Sequence, residues 1–184
     1  MIDLAPALLV DALAVLDRWA APSASQEVLR TSYAEHLRAQ PAGLFKSCYP
    51  DHLTASALVL SADRSQVLLT LHRRAQQWFQ FGGHLERGDA SLHGAALREA
   101  TEESGVDTLV VDPEPVHLDV HGVPFCDPRG GARHLDVRFS MTAPDGTAHT
   151  VSKESLDVRW WSVHDLPTDE RSIHELVELA LARG

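Results

Sequence analysis

Glu99, Glu102 and Glu103 stand at i, i+3 and i+4 in a run of Leu, Ala, Arg and Glu that begins near Ser91 and ends at Gly105. These residue types favour helix, and a glycine after them fits a left-handed C-cap. At about 3.6 residues per turn the three carboxylates share about a 100° arc of one helix face. They repel one another, and a solvated acidic face ordinarily relieves this with Lys or Arg one turn away. Here only Arg98 is close, beside Glu99 and one turn before Glu102. Hard oxygen donors in this pattern, next to a loop punctuated by Gly82, Gly83 and Gly88, suit Mg²⁺ or Mn²⁺, ions that also accept phosphate oxygens from a substrate. The plain alternative is a charged helix facing water.

Over a longer span the pattern becomes specific. Gly83, five residues, Asp89 and then Arg98-Glu99-Ala100-Thr101-Glu102-Glu103-Ser104-Gly105-Val106 resembles the signature of the Nudix hydrolases, G-x5-E-x7-R-E-U-x-E-E-x-G-U with U aliphatic. It departs in Asp89, where the family has Glu, in eight residues rather than seven before Arg98, and in the small Ala100 at an aliphatic position. The half that carries the metal ligands in the family is intact. The order strand, turn, strand, arginine pair and Trp78-x-x-x-Gly82-Gly83 also resembles the family's lead-in.

The resemblance implies a metal-dependent hydrolase that cleaves a diphosphate linkage in a nucleoside diphosphate joined to another moiety, or in a related nucleotide. It implies Mg²⁺, with Mn²⁺ as a substitute, held by Glu99, Glu102, Glu103 and the carbonyl of Gly83. Glu102 and Glu103 are candidates for the base that deprotonates water, and Glu154 is the best-placed carboxylate outside the motif. Arg98 is expected to orient carboxylates, with Asp89 as its partner. Arg73 and Arg74 are candidates for contact with phosphate, and Trp78 for stacking on a base, although aromatics near a Gly-Gly turn are also ordinary core residues. Rival readings are an isopentenyl-diphosphate-isomerase-like enzyme, for which no N-T-C-C-like segment is found, and a catalytically silent nucleotide-binding module, against which the three glutamates argue.

The chain has 184 residues, 44% hydrophobic and 23% charged, which fits one soluble globular domain with an extension. A net charge of -10 excludes general attraction to nucleic acid or anionic membrane, so an anionic substrate must be met by local positive charge. No apolar run approaches the about 20 residues that span a bilayer, and Met1-Ile2-Asp3 lacks the basic start of a signal peptide. With only Cys48 and Cys126, the expectation is a reducing, cytoplasmic setting. His117, His121, Cys126, His134 and Asp136 invite a zinc assignment, but their spacing matches no compact structural-zinc pattern, and a His-rich polar surface is the expectation.

The elements that must position these residues read as follows. Leu4, Leu8, Leu9, Ala12, Leu13, Val15, Leu16 and Trp19 give a first helix over residues 3–20, and Val28, Leu29, Tyr33 and Leu37 a second, capped by Ser23 or Ser25 and running to about Ala39. Strands are expected at 52–60, 67–71, 108–111, 115–120, 134–141 and 154–161, the fifth half-exposed, with a polar loop over 73–83, another over 123–132, and a closing helix at 173–181. Mixed strands around a central helix argue an α/β sandwich. The resemblance sharpens this to a Nudix-type α/β/α sandwich with a mixed sheet, an N-terminal helical extension over 1–48 and the hydrolase domain over 49–184. The extension is expected to cover a sheet edge or make a dimer contact, with a substrate lid as a further role.

Overall fold

This computed structural model describes residues 5–124 and 126–183, so Leu4 of the expected first helix lies outside the described residues, as does Phe125 of the loop. Helix α1 (Ala5–Arg18) buries Leu8, Ala12, Val15 and Leu16. Helix α2 (Ala24–Ala39) starts where the Ser23 side chain accepts the Gln26 N–H at 3.3 Å, and it buries Tyr33, Ala34 and Leu37. A short 3-10 turn, Pro41–Leu44, leads into the sheet.

The organising strand is β1 (Asp51–Leu60), every residue of which after Asp51 is buried. One edge of β1 runs parallel to β7 (Arg133–Thr142) in unbroken register from Asp51 opposite Arg133 to Leu60 opposite Thr142. Two antiparallel strands share the other edge. Strand β2 (Gln66–His72) pairs with its last two residues, and β4 (Phe81–His84) pairs with Thr54 through Ala57. Beyond β2 lie β3 (Trp78–Phe79) and β8 (Ser155–Ser162), and beyond β7 lie β5 (Val110–Val111) and β6 (His117–Gly122). Helix α3 (Leu92–Ser104) and helix α4 (Arg171–Leu181) complete the layers.

Strand alternation then sorts the side chains. Leu53, Ala55, Ala57 and Val59 of β1, with Leu135, Val137, Phe139 and Met141 of β7, enter one core with α1, α2 and α3. The opposite face carries His52, Thr54 and Ser56, then Leu58 and Leu60. Its apolar end packs with Val67, Leu69 and Leu176, Val177 and Ala180 of α4. Its polar end is left as the floor of a cleft.

Strand β7 is not half-exposed: residues Leu135 to Phe139 are all buried. The alternation in its sequence separates an apolar core on one side from buried charge on the other. Asp136, 1% exposed, accepts from Thr54 Oγ1 at 2.8 Å, Ser56 Oγ at 2.7 Å and Arg138 Nε at 2.8 Å. Arg138, 3% exposed, also donates to Asp119 Oδ2 at 2.9 Å and to the Ser172 carbonyl at 3.2 Å. Burial raises the Asp136 carboxyl, but the Arg138 charge, His121 and the hydrogen bonds from Arg138 and Ser56 together hold the group below the ordinary aspartate range.

Three polar contacts fix the N-terminal helices to this body, one of them from the Tyr33 hydroxyl to the Asp119 carbonyl at 2.6 Å. Gln26 of α2 donates to the Leu118 carbonyl at 2.9 Å and accepts the Leu118 N–H at 2.7 Å, as a neighbouring strand would. The Asp11 carboxylate of α1 accepts the Leu92 N–H at 2.8 Å at the start of α3. Elsewhere, 73–83 is not a single loop, since it contains β3 and β4, and the strand expected over 108–111 is only Val110–Val111.

Removing one partner of a buried ion pair leaves the other charge unpaired, so Arg138→Met is expected to destabilise the fold by about 3–5 kcal/mol. Urea denaturation of the variant beside the parent chain measures this, and a cost under about 1 kcal/mol would show that the hydroxyl donors alone satisfy Asp136.

Candidate metal and substrate site

Helix α3 begins where Ser91 Oγ accepts the Gly94 N–H at 3.1 Å and ends at Gly105 in the left-handed conformation, φ 71°. These ends set the rotation of the helix, and with it the face carrying Glu99, Glu102 and Glu103. Strand β4 passes beneath that face. A Cβ on Gly83 would lie 2.7 Å from the Glu99 carboxyl carbon, so the glycine is what admits the carboxylate. Gly82 has φ +155° and lies against the Ser56 backbone and hydroxyl, leaving no room for a side chain there either.

Arg98 binds the cluster together. Its Nε and Nη2 each reach Asp89 at 3.0 Å, Nη1 reaches Glu99 at 2.9 Å and Glu102 at 3.3 Å, and Nη2 also donates to the His84 carbonyl at 3.1 Å. Asp89 in turn accepts the Glu86 N–H at 2.7 Å. The shorter acid and the extra residue in the motif therefore still bring Asp89 to Arg98.

One guanidinium does not neutralise this much acid. Burial first, then Glu99 and Glu154, push the Glu103 carboxyl up to about 8, only partly offset by a hydrogen bond from the Gly82 backbone. Burial also raises Glu99, against the pull of Arg98. Carboxylates crowded and half-buried in this way form a hard-oxygen donor set short of positive charge, and such a set fits a divalent cation of the Mg²⁺ type.

Glu103, Gly82 and Gly83 open into a cleft of about 820 Å³ whose floor is Thr54, Ser56, Asp136 and Arg138. Arg73, Arg74 and Glu154 also line it. Arg73 is committed to the backbone beside Glu154: its Nε donates to the Lys153 carbonyl at 3.1 Å, its Nη2 to the Ser155 carbonyl at 2.9 Å, and its N–H to the Glu154 carbonyl at 3.0 Å. Its guanidinium thus holds the Glu154 segment. Trp78 does not line the cleft. It packs in the second core, with its ring 5.2 Å from that of Trp161, while the neighbouring Phe79 faces the cleft.

The histidines do not form a polar surface. His117 is buried, its Nε2 3.6 Å from Glu175, and Asp136 belongs to the Arg138 network. His121 bonds to Asp119 at 2.8 Å. Cys126 and His134 do converge, together with His52 and His84, which sequence reasoning missed. The signal was strand parity: His52 sits directly opposite His134, and His84 opposite Thr54 two residues along the same face, but only the register makes this visible. Burial and neighbouring positive charge hold His84 down to about 4, and burial with the adjoining imidazoles holds His134 down to about 3, so both rings are neutral near pH 7.

The sequence model of the NUDIX domain matches residues 50–179. No curated protein matches the chain by sequence. Among solved structures, the fold is similar to that of the E. coli dihydroneopterin triphosphate pyrophosphohydrolase, at TM-score 0.60 and 19% identity over 72% of this chain and 96% of that one. It is similar to a NUDIX-family hydrolase from Clostridium perfringens, at TM-score 0.58 and 20% identity over 72% and 98%. A UDP-X diphosphatase gives TM-score 0.56 and 16% identity over 96% of this chain and 93% of that one.

Gly83→Ala is expected to displace the Glu99 carboxylate and weaken Mn²⁺ binding by about 10–100-fold with the fold retained. Calorimetric titration with Mn²⁺, alongside circular dichroism, tests this, and unchanged affinity would remove Glu99 from the ion's donors.

Proposed function

The chain belongs to the NUDIX domain family, and from that premise we propose that it is a metal-dependent hydrolase cleaving the diphosphate linkage of a small nucleotide-derived substrate. The observation that carries this reading is the acid cluster itself: Glu99, Glu102 and Glu103 on one face, Glu103 raised to about 8, and Glu154 close enough to act on both Glu99 and Glu103. Glu99, Glu102, Glu103 and the Gly83 carbonyl would hold Mg²⁺, or Mn²⁺ in its place. When bound, such an ion neutralises phosphate oxygens and makes water more acidic.

The chain's own residues supply the rest. Glu154 is exposed at the cleft wall, and its backbone is fixed by Arg73, so its carboxylate is held near the cluster without being enclosed in it. A carboxylate less committed to the ion is the better base. In the proposed step Glu154 takes a proton from water, the water oxygen bonds to phosphorus, and the bridging P–O bond breaks with its electrons leaving on the departing phosphate. Arg98 and Asp89 act as positioning residues, keeping Glu99 and Glu102 oriented. Arg74 and Lys46 border the cleft and offer charge to phosphate oxygens, which the net charge of -10 would otherwise repel. Phe79 takes the place assigned to Trp78 as the aromatic available to a base or other flat group.

The division into an extension over 1–48 and a hydrolase domain over 49–184 goes with this reading, the extension serving to brace α3 and β6. No helix among the described residues is long and apolar enough to cross a membrane.

A panel of nucleotides, nucleotide sugars, dinucleoside polyphosphates and capped RNA, assayed with Mg²⁺, should reveal turnover that excess EDTA abolishes. Undiminished turnover in EDTA would overturn the reading. Glu103→Gln should lower turnover together with metal affinity. Glu154→Gln should lower turnover by about 10²–10⁴-fold while metal affinity changes less, and turnover equal to that of the parent would return the base role to Glu102 or Glu103.

A further inference from the structure

Three strands and one loop bring four soft or borderline ligand atoms together at the end of the cleft. His52 of β1, His84 of β4 and His134 of β7 project from the same face of adjacent strands, and Cys126 reaches them from the connection between β6 and β7. Cys126 Sγ lies 3.7 Å from His52 Nε2, 3.4 Å from His84 Nε2 and 3.4 Å from His134 Nε2, and all four ligand atoms lie within 4.8 Å of one another.

Hydrogen bonds to the sulfur would be weak ones: a thiol donates one proton and accepts only weakly, yet three ring nitrogens surround it. The Nδ1 of His52 is 3.1 Å from the Cys48 carbonyl, an acceptor, so Nδ1 carries the proton and Nε2 presents a lone pair. The distances match a metal's requirement: with metal–sulfur about 2.3 Å and metal–nitrogen about 2.0–2.1 Å, tetrahedral geometry sets sulfur and nitrogen about 3.5 Å apart.

We propose that His52, His84, Cys126 and His134 form a structural zinc site, separate from the carboxylate site and chemically distinct from it. One thiolate and three imidazoles select Zn²⁺ over Mg²⁺, whereas the glutamates do the reverse. Four protein ligands close the coordination sphere, so the ion orders structure rather than activating water. The hydrogen bond from His52 to the Cys48 carbonyl is the orienting outer contact such ligands ordinarily have. What the ion would hold is specific to this chain. It ties the 123–132 connection, which borders the cleft, to β4, whose Gly83 backbone lies under the glutamates. The proposal stands whether or not the carboxylate cluster hydrolyses anything.

The test uses the full chain, purified without chelator and with any affinity tag removed, and measures metal by mass spectrometry. About one zinc per chain is expected. Cys126→Ser and His134→Asn should each lose most of it, whereas Glu103→Gln should keep it. Cobalt offered to zinc-stripped parent protein should give tetrahedral visible bands and a thiolate-to-cobalt charge-transfer band, a readout that needs no variant. Parent protein that holds no zinc and gives no thiolate band with cobalt would overturn the site. Equal zinc loss in Glu103→Gln and Cys126→Ser would also overturn it, by moving the ion to the carboxylates.

Discussion

The parallel register between β1 and β7 is the constraint on which the rest of the cleft depends. Residues at matching positions of the two strands share a face, so Leu53, Ala55, Ala57 and Val59 fall with Leu135, Val137, Phe139 and Met141 into the helix-covered core. The same arithmetic puts His52 beside His134, and Thr54 and Ser56 beside Asp136 and Arg138, on the other side. A slip of one residue would bury the polar set under α3 and expose the apolar one. The Asp136–Arg138 pair reinforces this choice, because in the wrong register it would face an apolar core without Thr54, Ser56 and Asp119, which complete its hydrogen bonds here.

Across β4 the same sheet serves the acidic helix. Gly83 removes the side chain that would separate α3 from the strand, while Gly82 lies close against Ser56 of β1, and Arg98 spans the gap, reaching Asp89, Glu99, Glu102 and the His84 carbonyl at once. Repulsion among the glutamates is thereby retained and held in place rather than relieved. A helix that scattered these acids would be more stable alone but would have no reason to attract an ion.

Much of this was legible in the sequence where local pattern decides the outcome. The cap at Ser23, one of two serines offered for it, the cap at Gly105, the acid arc of α3 and the pairing of Asp89 with Arg98 follow from spacing within one element or its entry loop. What escaped depends on contacts between elements distant in the chain. Strand β7 alternates like a half-exposed strand because a buried ion network and a surface look alike in one dimension. Trp78 looked available to ligand because nothing local indicates that Trp161 lies beside it. His52 and His84 carry no motif, and become neighbours of Cys126 and His134 only when three strands align.

The amide of Gln26 has a meaning beyond fastening a helix. By meeting both the N–H and the C=O of Leu118, it occupies the seat that one residue of an added strand would take on β6. A foreign chain seeking to extend the sheet there must first expel a buried side chain and open the apolar contacts of α2 around Tyr33 and Leu37. The N-terminal helices thus act as a guard against open-ended strand-by-strand polymerisation, a hazard that any mixed sheet with a bare flank carries into a crowded solution.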